Sequence, residues 1–306
     1  MLQAKPGTSA QRQTSGEPVG KLRIVNPDPR YARVALIEPT TLGYILVGAE
    51  VHPRRAPFVP SGHDKKALLA QLATLARALE QLDGVAKVTV FDALAFAPPS
   101  AYVRQRQDRF RLPRFDVVVL IETRSPAAVR DVQMTPAYRA LVNALRPMAR
   151  QLCILTARNV KRIGDVDKTR PGVFLFNYFV GDDPQVVLDL WDYLAGWYVA
   201  ETGLDNSTLL APLEGERSEY VVINHARWDG SLLGVFLKQL ATPSFRSYML
   251  ANLEANHVGA MPVLYRAANL PSQRSAARWR WTLLGAMTVG VAALGAWLGL
   301  SRRRRV

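Results

Sequence analysis

Hydrophobic and polar positions alternate between two rhythms along the chain, and the second half shows them most clearly. "GVFLFNYFV" (172–180) is rich in aromatic and β-branched residues and predicts a strand. "DDPQVVLDLWDYLAGWYVAETG" opens with an acidic cap and a proline in the first turn. Val187, Leu190, Trp191, Leu194 and Tyr198 then recur at helical spacing. "NSTLLAPL" and "EYVVINHARW" predict two strands around the turn "EGER". "SLLGVFLKQLATPSFRSYMLANLEAN" predicts a helix bent near Pro243, and "AMPVLYRAA" a closing strand.

The first half repeats that order. "GYILVGAEV", "AKVTVFDAL", "FDVVVLIET" and "QLCILTAR" predict strands, while "DKKALLAQLATLARALEQLDG" and "TPAYRALVNALRPMA" predict helices. The starts "TPAYR" and "TPSFR" match in kind, each with Thr as N-cap and Pro at the first helical position. The halves differ mainly in "AFAPPSAYVRQRQDRFRLPR", a long insertion predicted as a solvated or lipid-facing loop. The β-α-β-β-α-β order, read twice, predicts an α+β fold. Two tandem ferredoxin-like units would pack sheet to sheet as a pseudo-dimeric α/β barrel, each covering the other's bare face, with room for a ligand between. The expected boundaries are a disordered leader at 1–22, a first unit at 23–165, a second at 166–270, and a basic-flanked anchor at 271–306.

Composition adds a membrane expectation. "WTLLGAMTVGVAALGAWLGL" (281–300) is a run of 20 residues without a charge, with Trp281 and Trp297 near its ends and arginines on both sides. As a helix it would match the hydrocarbon thickness of a bilayer. The N-terminus has no apolar signal region. The expectation is a single-pass, C-terminally anchored protein of the cell inner membrane, its soluble region cytoplasmic. Residues 281–300 would contact lipid, and their small-residue face would allow a homodimer. The formal charge of +14 suggests nucleic acid, but the arginine-rich loop has only Tyr102 and Phe110 among its arginines, so a base-stacking surface, and with it a nucleic-acid partner, is not expected.

Candidate chemistry is sparse. The single cysteine, Cys153, lies in an apolar run and predicts packing. His52 and His63 are not spaced as a metal site, and no phosphate loop or nucleophile elbow is present. No cofactor or metal is therefore expected. Strand alternation groups Asn224 and Trp228 on one face and His225 with Arg227 on the other, while Asn177 shares a face with Leu175 and Phe179. If the asparagine faces line the gap, Asn177, Asn224 and Trp228 would orient a planar organic molecule. In the other register, His225 and Arg227 would supply a base and an anion clamp.

A third strand ending in Trp228, followed by a helix and then "TPSFRSYMLANL", resembles the antibiotic biosynthesis monooxygenase superfamily of dimeric α/β barrels, over roughly residues 43–268. Asn177 and Trp228 match positions the resemblance marks, and with Asn224 and His225 from the strand alternation they are the catalytic candidates. The resemblance implies a cofactor-independent monooxygenase acting on a hydrophobic aromatic or quinone-like small molecule, which the run 281–300 would anchor to the membrane. In the haem-degrading branch a histidine follows on the next helix. Here that stretch carries Lys238 and no histidine, so the resemblance does not extend to haem chemistry. The alternative is a non-catalytic, membrane-tethered small-molecule-binding or assembly module.

Overall fold

A computed structural model describes residues 20–52, 59, 62–230, 234, 239 and 241–268. In the first half, β1 (Gly43–Glu50), α1 (His63–Leu79), β2 (Val85–Phe96) and a short α2 (Ala101–Arg104) come first. They are followed by β3 (Val117–Thr123), α3 (Ala128–Met134), α4 (Pro136–Leu145) and β4 (Gln151–Gly164). The second half contains β5 (Val173–Gly181), α5 (Pro184–Thr202), β6 (Ser207–Pro212) and β7 (Val222–Trp228). A π-helical turn (Phe245–Leu250) then runs into α6 (Ala251–Ala255), and β8 (Val258–Ala267) closes the chain.

All eight strands form one closed antiparallel barrel in the order β1-β3-β2-β8-β5-β7-β6-β4. This corrects the expected pair of ferredoxin-like units packed sheet to sheet. The halves are joined edge to edge, β2 to β8 and β4 to β6, by backbone hydrogen bonds. Closure satisfies N–H and C=O groups that two stacked sheets would leave open at four edges. Inward and outward alternation is the same in both arrangements, so the strand pattern alone does not separate them.

The lumen is solid. Tyr44 and Leu46 meet Phe91, Leu120, Phe174, Phe176, Tyr178 and Tyr265 in one buried cluster that draws on every strand. The expected ligand-sized gap between sheets is filled by these side chains. Outside, α1, α3 and α4 cover the first half, while α5, the π-helical turn and α6 cover the second. The insertion is corrected as well. Tyr102 and Val103 of α2 are buried in the lumen cluster with Phe115, so this segment plugs one end rather than lying free in solvent. Between the halves, Val166 enters the same cluster, and Lys168 pairs with Glu122 at 3.3 Å.

One buried charge network ties α1 to the barrel. Lys65 Nζ lies 2.7 Å from Asp92 Oδ1 and 3.1 Å from Asp116 Oδ2, all three side chains within 1% of full burial. Arg266 of β8 reaches the other Asp92 oxygen at 2.7 Å, bringing the second half into the network.

Among the described residues no helix is long and apolar enough to cross a membrane. The expected transmembrane anchor and inner-membrane, single-pass localisation are corrected accordingly. The run 281–300, on which the lipid contact and the dimer face were placed, lies outside the described residues.

Candidate functional site

Helix α5 positions one wall of the site. Asp183 caps its start by accepting from the N–H groups of Gln185 and Val186, with Pro184 in the first turn. Gly203 ends it at φ 68°, a left-handed conformation that glycine adopts without a side-chain clash. The turn leaves Thr202 facing β7, where its hydroxyl accepts from Trp228 Nε1 at 3.0 Å.

Beside that turn the outer face of β5 and β7 forms a lane. In register, Val173 lies opposite Trp228, Leu175 opposite Ala226, and Asn177 opposite Asn224. Leu264 and Pro262 of β8 flank the same lane next to Leu175 and Asn177. Val173, Leu175, Ala226, Trp228 and Leu264, with Leu204, make a buried apolar cluster. The Trp228 end opens into a cleft of about 290 Å³ bordered by Thr202, Asp205, Asn206, Arg227 and Asp229. From Trp228 to Asn224 is four residues of strand, roughly 13 Å.

The two amides at the inner end differ. Asn224 Oδ1 accepts from Ser207 Oγ at 2.6 Å, which fixes its orientation. Asn177 Oδ1 is buried and has no hydrogen-bond partner among the described residues. Asn177 and Asn224 are cross-strand neighbours, and Trp228 shares their face four residues along β7. That face is turned toward the helices and not, as one expected register had it, into the lumen.

His225 and Arg227 point the opposite way. The His225 ring stacks on Phe176 at 4.2 Å and meets Phe91 edge-on at 5.5 Å. Its Nδ1 lies 3.1 Å from the Leu175 carbonyl, an acceptor only, so Nδ1 carries the proton and donates. Nε2 is left buried without a partner among the described residues. Burial, reinforced by the charge of Lys168, pushes the imidazole pKa well below its ordinary value, and the ring is neutral. Arg227 sits over Phe174 and donates from Nη2 to the Pro171 carbonyl at 2.8 Å and to Asp229. Burial raises the Cys153 thiol to about 11, which removes it as a nucleophile.

Thr202, Asp205 and Asn206 were not singled out by sequence reasoning. Their only signal is the turn "TGLDN", and nothing in its spacing connects it to β7. Among the described residues no His, Cys, Asp and Glu cluster could hold a metal ion.

No family model matches the chain, and no curated protein matches it. Solved structures do. An anthrone oxidase-like protein is 12% identical, over 79% of this chain and 99% of its own, at a TM-score of 0.50. A provisionally assigned monooxygenase from Lactobacillus acidophilus NCFM is 8% identical, covering 74% and 93%, at 0.41. A dye-decolorizing peroxidase from Bacteroides thetaiotaomicron VPI-5482 is 8% identical, covering 78% and 96%, at 0.40. The first of these likenesses establishes a shared barrel fold. The structural neighbours carry the names of oxidative proteins.

Proposed function

We propose that the chain is an oxidative enzyme that binds a hydrophobic aromatic or quinone-like molecule in the outer lane of β5 and β7 and oxygenates it without a cofactor. The observation that carries this reading is the unpartnered, buried Asn177 Oδ1 at the end of an apolar lane that opens beside Trp228. A buried acceptor with no donor is costly, and a ligand hydroxyl would relieve it.

In this reading a planar substrate enters past Trp228 and takes the place of the packing over Ala226 and Leu175, which are buried without it. Its ring hydroxyl, in the enol form of a ring ketone that bears a CH₂, donates to Asn177 Oδ1. That form is electron-rich and reacts with dioxygen directly. A ring CH₂ and O₂ become a ring carbonyl and water, so one oxygen atom is inserted and the other leaves reduced. Asn224, held by Ser207, keeps the neighbouring wall in place. The barrel fold shared with an anthrone oxidase-like protein is consistent with a substrate of this shape.

The test is oxygen uptake by the full chain against a panel of anthrone-type and hydroquinone substrates. Asn177→Ala should lower kcat/KM about tenfold, the value of one hydrogen bond of about 1.4 kcal/mol. No uptake above the uncatalysed rate, or an unaltered Asn177→Ala enzyme, would rule the reading out.

A second reading, a non-catalytic small-molecule-binding module, has one observation in its favour. Val173, Leu175, Ala226 and Leu264 give the lane floor no acid or base. Saturable binding of the same compounds without oxygen consumption would select it.

A further inference from the structure

Residues 20–26 lie against the helical face formed by the π-helical turn and α6, and the contacts have an unusual regularity. Asn256 Oδ1 accepts from Arg23 N–H at 2.7 Å, and Asn256 Nδ2 donates to the carbonyl of the same Arg23 at 2.6 Å. One turn back, Asn252 Oδ1 accepts from Val25 N–H at 2.9 Å, and its Nδ2 donates to the Val25 carbonyl at 2.9 Å. Each side-chain amide thus pairs with the N–H and C=O of one residue, as a neighbouring strand would.

The spacing explains why two such pairs fit. Asparagines four apart on a helix are separated by about 6 Å along its axis. Residues two apart on an extended chain are separated by about 6.7 Å, and both turn their N–H and C=O to the same side. The two ladders agree to within an ångström. The amides are also held in advance. Asn252 Nδ2 donates to the Tyr248 carbonyl at 2.8 Å and Asn256 Nδ2 to the Asn252 carbonyl at 2.8 Å, so the helix itself fixes which way each faces. Asn252 is fully buried. Flanking contacts extend the track, from Gly20 N–H to Asp183 Oδ2 at 2.7 Å and from Asn26 Nδ2 to the Ser247 carbonyl at 2.7 Å.

We propose that the Asn252–Asn256 face is a peptide-binding site that recognises an extended main chain, not particular side chains, and that residues 23–25 of this chain are its resident ligand. The two asparagine pairs read only backbone groups, so they accept any extended segment without proline at the two donor positions, while Asn26 Nδ2 and Leu22 add side-chain contacts at the flanks. The site is separate from the lane of β5 and β7 and does not depend on an oxidative function. In the intact chain the tethered segment keeps the face occupied, because its effective concentration exceeds that of most free peptides.

The experiment uses the full chain carrying Arg23→Pro and Val25→Pro, which deletes the two N–H donors from the resident ligand and leaves the receptor untouched. A fluorescent peptide of residues 18–30 should bind this variant at least tenfold more tightly than it binds the unaltered chain. Adding Asn256→Ala should weaken that binding at least tenfold. Alanine at peptide positions 23 and 25 should leave it within threefold, and proline at both should abolish it. No binding, binding indifferent to Asn256→Ala, or loss on alanine substitution would overturn the proposal. Amide exchange of the otherwise unaltered chain gives a second check should the proline variant not fold. Asn256→Ala should speed exchange at Arg23 at least tenfold and leave Val47 unchanged, and an unchanged Arg23 would refute the claim.

Discussion

At matching strand positions the two halves of the barrel present different side chains to the same lumen. The register sets Tyr44 against Glu122 in the first half and Phe174 against Arg227 in the second. One layer further in, Leu46 and Leu120 correspond to Phe176 and His225. Beyond them, Gly48 and Val118 correspond to Tyr178 and Ile223. In the two inner layers the first half therefore supplies the smaller groups and the second the larger, while in the outer layer each half places one aromatic and one charged side chain. The lumen closes because these differences are complementary. A β-carbon on Gly48 would lie 2.7 Å from the Phe115 ring, and Phe115 in turn meets Tyr178 at 5.7 Å. A duplicated scaffold with identical halves would either collide here or leave a void.

The outer faces diverge in the other direction. In the first half the buried Lys65 pairs with Asp92 and Asp116, while on the side of the second half Asp192 of α5 pairs with Lys161 of β4 in a partly exposed position. The largest expected effect follows from that contrast. Lys65→Met should destabilise the fold by about 3–5 kcal/mol, because it leaves the buried Asp116 without its cation, while Asp92 keeps Arg266. Lys161→Met should cost no more than about 1 kcal/mol, since water screens the pair. Urea denaturation of both variants measures the gap, and equal losses would erase the distinction.

A smaller effect probes the complementarity of the lumen. Gly48→Ala should cost about 1–3 kcal/mol, since the added methyl meets a ring fixed on its far side by Tyr178. A neutral result would show that Phe115 can move and that the halves are not tightly matched.

The smallest effect concerns His225. His225→Leu gives the second half the residue that the first half carries at Leu120. It removes an unpartnered buried nitrogen and should raise stability by about 1 kcal/mol at pH 7. The pH dependence should change too. The folded pKa of His225 lies well below the ordinary value of 6.5, so below pH 6.5 the unfolded chain binds a proton that the folded chain refuses. Stability therefore falls as pH drops through that range, with a slope of up to about 1.4 kcal/mol per pH unit for this one group. The leucine variant should lose that contribution to the slope. An unaltered acid profile would mean the imidazole is accessible to protons after all.

Particular elements show how far the amino-acid order carried. The strand expected at 172–180 is observed at Val173–Gly181 and the one at 43–51 at Gly43–Glu50, because short apolar runs rich in β-branched and aromatic residues form strands buried on both faces. Thr135 caps α4 as its Thr-Pro start suggests, accepting from Tyr138 N–H at 3.2 Å. Its counterpart after Thr242 leads instead into a π-helical turn, a change of helical register that no local motif marks. Alternation also grouped Asn224 with Trp228 and His225 with Arg227. It could not say which group met helices and which met the lumen, because that depends on which side of β7 the rest of the chain covers. The burial of Tyr102 and Val103 was hidden behind the many arginines around them.

Taken alone, the residue order determined the local periods, the caps, the grouping of side chains by face and the recurrence of one element order in both halves. These depend on interactions among residues a few positions apart. Only the tertiary structure decided that the strand edges join into one closed barrel, that its lumen is filled, and that Asn177 and Trp228 lie on its outer face, with Trp228 bordering a cleft. Those outcomes depend on pairings between strands far apart in the chain, whose free energy no short stretch of sequence contains.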